Sequence, residues 1–324
     1  MSRPIRRALT AMLAAAVLTL GLAACGSAKD DKPDAAASGD AGSWPRTVTH
    51  DKGQTKIDAK PQKIVALDNS LVEAVVLLDG KLVGGIGSYR NLTGFPEYLG
   101  DAVKDTKEVG PLDSPNLELI AQLEPDLIVS ATVRHDALYD KLSEIAPTVF
   151  VKTTGPQWQD NLGLVAQAMG EEQKAATKLA DFKARAKKVG DAINAKAANP
   201  TISIVRFLDG PTRLMGKKSF IGIVLSDAGL ARPEAQNVDE FSVEISEEQI
   251  EKADAKWIFV TTYKGGADSK SKFESNPLWQ RLEGVKSGQV KDVRDEIWMT
   301  SVSVQGAHMI LDDLAAAFGV DAAK

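Results

Sequence analysis

Arginines and aromatics placed in or just beyond short apolar runs are the residues of this chain best suited to hold a ligand. Tyr89 and Arg90 follow the run at 82–86, and Arg134 follows the run at 127–130. Arg206 lies inside the run 202–207 and Arg213 in the next one. Tyr263 directly follows Thr261 and Thr262, and Trp298 sits within the segment 295–299. Guanidinium groups donate forked hydrogen bonds to ligand oxygens, and aromatic rings pack on a ligand's apolar parts. In open α/β sheets, ligands bind outside the carboxyl ends of the strands. Several of these side chains can therefore converge on one cleft. Taken singly, each is equally compatible with a solvated or structural role, with one exception. A charge inside Ile204-Val205-Arg206-Phe207 needs a partner or a cleft.

Other chemistry is sparse. His50, His135 and His308 are the only histidines, and none is paired at the spacing of a zinc site. His308 falls on an expected helix among apolar neighbours and reads as structural. There is no G-x-S-x-G, no Walker loop and no G-x-G-x-x-G. Gly84-Gly85-Ile86-Gly87 follows a strand but opens no helix, so a Gly-rich strand end is the simpler reading.

Alternation dictates the elements that must position these residues. Runs at 64–67, 82–86, 127–130 and 148–151 read as short buried strands, separated by helical patterns at about 69–78, 115–123 and 136–145. Strands alternating with helices imply a parallel sheet covered on both faces. From about 158 to 197 there is no proline, and apolar residues keep helical spacing. We read this stretch as one long helix joining two lobes; two helices with a turn at Gly170-Glu171 is the alternative. The alternation then resumes: strands at 202–207 and 212–215 form a hairpin, helices follow at 220–228 and 246–253, a strand at 256–262, and a closing helix at 306–318. The expected fold class is α/β, with two Rossmann-like lobes whose central sheets are mainly parallel. The expected boundaries are 46–156 for the N-terminal lobe, 157–198 for the interlobe helix and 199–324 for the C-terminal lobe.

The N-terminus reads as an export signal. Arg3, Arg6 and Arg7 precede an apolar stretch that ends in Leu22-Ala23-Ala24-Cys25-Gly26. This pattern resembles a bacterial lipobox, which implies cleavage after residue 24 and lipidation of Cys25, the only cysteine. Residues 25–45 then form a flexible tether. Without the three arginines of 1–24, the 39 basic residues become 36 against 44 acidic ones, a formal charge of about −8. That balance argues against nucleic acid as a partner.

Five phrases carry a family resemblance: "SPNLELIAQLEPDLIVSA" (114–131), "LSEIAPTVF" (142–150), "SFIGIVLSDAGLARPEAQ" (219–236), "ISEEQIEKADAKWIFV" (245–260) and "NPLWQRLEGVKSGQV" (276–290). Together they resemble the binding lipoproteins of iron-siderophore ABC importers over nearly the whole mature chain. The resemblance implies two α/β lobes on a rigid helix and a binding module rather than an enzyme. It also implies one surface glutamate per lobe that meets the permease, by position Glu118 and Glu248. Without the family, both would read as exposed charges favoured by a helix dipole. The segment 205–220 is similar to the subgroup that takes hydroxamate siderophores such as ferrioxamine. No cofactor is expected, since the siderophore carries its own iron. The expected partners are a ferric siderophore, an ABC permease and the membrane through the lipid anchor, with the chain a monomer on the outer face of a Gram-positive cell membrane. The same fold binding a catecholate siderophore, cobalamin or haem is the alternative; for haem, Tyr89, Tyr263 or His135 could serve as axial ligand. A lipid-anchored hydrolase is a third reading, which the missing nucleophile motif disfavours.

Overall fold

The structure, a computed structural model, describes residues 43–88 and 93–324. The signal segment, Cys25 and most of the tether lie outside the described residues, as do Tyr89 and Arg90.

The chain opens with an antiparallel hairpin of β1 (Arg46–His50) and β2 (Gly53–Ile57). Five strands follow: β3 (Ile64–Ala66), β4 (Leu82–Gly85), β5 (Lys107–Glu108), β6 (Leu127–Ala131) and β7 (Thr148–Val151). They form a wholly parallel sheet in the order β5-β4-β3-β6-β7. A second five-stranded sheet holds β8 (Ile202–Phe207), β9 (Thr212–Met215), β10 (Ser242–Ile245), β11 (Trp257–Thr262) and β12 (Val290–Asp292), in the order β10-β9-β8-β11-β12. In it β8, β11 and β12 run parallel, while β9 and β10 turn back antiparallel. Every residue of β3, β6, β7 and β8 is buried, as expected for strands covered by helices on both faces.

The stretch between the sheets is two helices, Trp158–Met169 and Glu172–Ala197, rather than one. Gly170 breaks it by taking the left-handed conformation at φ 70° and capping the first helix. Glycine adopts that conformation without a Cβ penalty. The connecting helix proper is therefore 26 residues, about 39 Å long at 1.5 Å per residue. It packs against Phe220–Asp227 so closely that a Cβ on Gly190 would lie 1.7 Å from the carbonyl oxygen of Ala228. Its buried Phe182, Ala186, Val189 and Ile193 belong to one apolar core that also holds Ala66 and Val129 of the first sheet and Ile204 and Phe259 of the second. One smaller core lies on the far side of each sheet.

The helical pattern at 136–145 resolves differently from the sequence reading. Three short pieces, Thr132–His135, Asp136–Leu138 and Tyr139–Ser143, replace a single helix. Asp68 caps Asn69–Leu77, its carboxylate accepting from the Ser70 amide.

Candidate functional site

Each sheet has a switch point where the strand order reverses, between β3 and β6 in the first and between β8 and β11 in the second. Side chains just past the strand ends there face a crevice. In the first sheet, Asp68 follows β3 and Arg134 follows β6. Arg134 Nε donates to Asp68 Oδ2 at 3.1 Å, and Nη2 donates to the Thr154 hydroxyl at 3.3 Å. In the second sheet, Arg206 points from β8 and Asp295 follows β12. Arg206 Nε and Nη2 grip the two oxygens of Asp295 at 2.8 and 2.7 Å. The Arg206 guanidinium also lies over the Tyr263 ring, 5.2 Å from its centroid. Each sheet thus places one arginine–aspartate pair at its own switch point.

The two pairs open onto one cleft. A cavity of about 220 Å³ is lined by Val133, Arg134 and the segment 153–156 from the first sheet, and by Arg206, Phe241, Met299, Thr300 and Val302 from the second. Arg134 also lines a neighbouring cavity of about 520 Å³ with Ser88, Pro111, Leu112, Asp113 and Tyr263. The two cavities adjoin at Arg134, and together they make up the groove between the halves. Thr300 lines this groove, and its hydroxyl is buried with no hydrogen-bond partner in the structure.

Of the residues singled out from the sequence, Arg134, Arg206 and Tyr263 meet in this groove. Arg213 stands opposite Arg206 across β8–β9, but it pairs with Glu244 at 3.0 Å and lines neither cavity. Trp298 is corrected. It is wholly buried, stacked on Phe259 at 5.0 Å, and its indole N–H donates to Asp313 at 2.8 Å. The π-helical turn Glu296–Thr300 turns Trp298 inward and presents Met299 and Thr300 to the cleft instead. Sequence reasoning missed Val133, Phe241, Thr154 and Thr300. The last two are small hydroxyl residues with no pattern to mark them. Val133 and Phe241 resemble ordinary apolar positions until the fold leaves them exposed.

The histidines are structural. His135 is buried, with Nδ1 against the Ser130 hydroxyl at 2.8 Å and Nε2 against the Leu112 carbonyl at 2.6 Å. The carbonyl only accepts, so Nε2 carries the proton and Nδ1 accepts from Ser130. With both nitrogens occupied, His135 is no axial ligand. Burial holds the pKa of all three histidines below the usual value. Among the described residues, no group of three His, Cys, Asp or Glu is placed to hold a metal ion.

Glu118 and Glu248 are both exposed and lie in the first turns of Leu117–Gln122 and Glu247–Ala253. Asn116 caps the first of these helices, and a Ser246–Gln249 capping box caps the second.

Two α/β halves with a polar groove at their strand ends are the geometry of a solute receptor. Residues 64–297 match the model of the periplasmic binding protein family. The chain belongs to that family. As a periplasmic binding protein it captures a solute rather than transforming one. It is similar to a probable siderophore-binding lipoprotein, YfiY, of Bacillus subtilis, with 37% identity over 92% of this chain and 94% of the relative. It is also similar to the Fe(3+)-citrate-binding protein YfmC of the same organism, at 29% identity over 83% of this chain and 84% of the relative. Among solved structures, Staphylococcus aureus SirA complexed with staphyloferrin B superposes with a TM-score of 0.78 at 30% identity. It covers 86% of this chain and 99% of SirA.

Proposed function

We propose that this periplasmic binding protein captures a ferric siderophore of the hydroxamate type and hands it to an ABC permease. Its place in this reading is the outer face of a Gram-positive cell membrane, held there as a monomer through Cys25. The observation that carries the ligand class is the pairing of both groove arginines with their own carboxylates, Arg134 with Asp68 and Arg206 with Asp295. Two positive charges are matched by two negative ones, so the cleft carries no net positive charge to hold a strongly anionic complex. A ferric trihydroxamate is neutral at its iron centre, whereas a ferric triscatecholate carries three negative charges and favours unpaired basic groups. Arg134, Arg206, Tyr263 and Thr300 are the residues assigned to the ligand. Glu118 and Glu248 are assigned to the permease. The iron arrives inside its chelator and asks no ligand of the protein.

A second reading, a ferric citrate-type ligand, is favoured by the relative named for that complex. Calorimetric titration of residues 43–324 with ferric desferrioxamine, ferric citrate and a ferric catecholate separates the readings. Submicromolar binding of the first alone is the expected result. Preference for ferric citrate replaces the ligand class, and indifference to all three removes the siderophore.

A further inference from the structure

Val133 and Phe241 are the large apolar side chains left exposed among the described residues, at 57% and 44%. Both line the same cavity of about 220 Å³, Val133 from the first half of the molecule and Phe241 from the second. Neither rides on loose backbone. The Val133 amide donates to the Lys152 carbonyl at 3.1 Å, and the Phe241 carbonyl accepts from the Gly216 amide at 2.9 Å. Val133 directly precedes Arg134, so its position is tied to the strand end that places the arginine. Phe241 enters β10, which is paired through β9 to the strand carrying Arg206. Met299, Val302 and Pro156 extend the apolar lining between them. A protein surface rarely concentrates its exposed large hydrophobics around one polar floor without a partner for them.

We propose that Val133 and Phe241 are specificity-determining jaws that flank the hydrocarbon arms of the bound siderophore. This rests on the reading of the cleft as a ferric-siderophore site. The charge-neutral floor receives the oxygens around the iron, and the jaws receive the aliphatic spacers that link the chelating groups. A compact polar complex such as ferric citrate has nothing to offer them. The ligand class this selects is a ferric trihydroxamate, uncharged at its iron centre, with polymethylene spacers.

The test compares two ligands that share an inner coordination sphere. Ferric desferrioxamine carries spacers; ferric tris(acetohydroxamate), held in excess acetohydroxamate, does not. Calorimetry on the wild type, Val133→Ser and Phe241→Ser is run with both, and with ferric citrate. Circular dichroism verifies folding, which exposed positions leave intact. The wild type should bind ferric desferrioxamine at least about tenfold more tightly than the spacer-free complex, roughly 1.4 kcal/mol. Each variant should narrow that gap by weakening only the desferrioxamine complex. Unchanged desferrioxamine affinity in both variants overturns the jaws and leaves the siderophore reading standing. Tighter binding of ferric citrate than of ferric desferrioxamine in the wild type overturns the spacer-bearing ligand class. Binding of none of the three overturns the siderophore reading itself, and the jaws with it.

Discussion

The Ser301 hydroxyl donates to the buried carboxylate of Glu73 at 2.9 Å, across 228 positions of sequence. Glu73 lies in Asn69–Leu77, beside the first sheet, and Ser301 opens the segment leading to the closing helix Val304–Phe318. Ser303 donates to the same oxygen, and the Tyr98 hydroxyl to the other at 2.8 Å. The Gln305 amide reaches the Glu73 carbonyl at 2.8 Å, and the Asn69 amide reaches the Thr300 carbonyl at 2.9 Å. A second, non-covalent joint thus connects the halves beside the connecting helix.

Burial raises the Glu73 pKa from 4.5 to about 7, against the pull of the hydroxyls of Ser303, Tyr98 and Ser301. The folded protein therefore holds this proton more tightly than the unfolded chain does. The resulting stability is fully present below pH 4.5 and is lost as pH rises through 7. The span corresponds to about 3 kcal/mol. Urea unfolding at about pH 5 and about pH 8 should show this fall in the wild type, and Glu73→Gln should flatten it. Equal pH slopes in the two proteins would remove Glu73 as the cause.

Arg206 and Asp295 are each about 5% exposed at the side chain, so the pair is desolvated. Arg206→Met leaves a buried carboxylate without its partner, a loss of about 3–5 kcal/mol. The double variant Arg206→Met/Asp295→Leu should recover much of that stability while remaining impaired in ligand binding. Denaturant midpoints read the first effect and calorimetry the second. If the double variant is no more stable than the single one, the pair is not the reason for the loss.

Gly190→Ala forces its new methyl against the Ala228 carbonyl, which is backbone and cannot swing aside. A cost of about 1–3 kcal/mol or more is expected. Gly163, inside Trp158–Met169, has open space where a Cβ would stand, with nothing within 4 Å of it. Gly163→Ala should instead stabilise by up to about 1 kcal/mol. Opposite shifts in melting temperature check both; shifts of one sign would contradict the packing described.

Glu118→Ala with Glu248→Ala should abolish siderophore-dependent iron uptake in cells while calorimetric affinity stays within about twofold, under about 0.5 kcal/mol. Normal uptake by the double variant would exclude these glutamates from the permease contact.

Much of the fold was legible because buried parallel strands leave uninterrupted apolar runs. The strands at 148–151, 202–207 and 212–215 emerged with the bounds read from sequence. Strands β1, β2, β5, β10 and β12 were invisible, since their exposed positions carry threonine, lysine, aspartate and glutamate and break any apolar run. At the site, Arg206 announced itself by interrupting an apolar strand. Trp298 misled because nothing in the segment 295–299 marks the π-helical turn that rotates its ring into the core. Asp68 and Asp295, which set the charge of the cleft, went unread because a carboxylate beside a strand end has no signature apart from the arginine it meets.

The apolar core that continues from one sheet through Glu172–Ala197 into the other has a consequence for recognition at the membrane. Spreading the halves widely would expose Trp158, whose ring packs edge-on against Phe182 and Phe220, so little of the ligand's binding energy goes into reshaping its receptor. An empty and a loaded molecule then wear nearly the same outline. In the proposed reading, a transporter choosing between them has the cargo itself to inspect, framed at the groove's mouth by the side chains assigned to it.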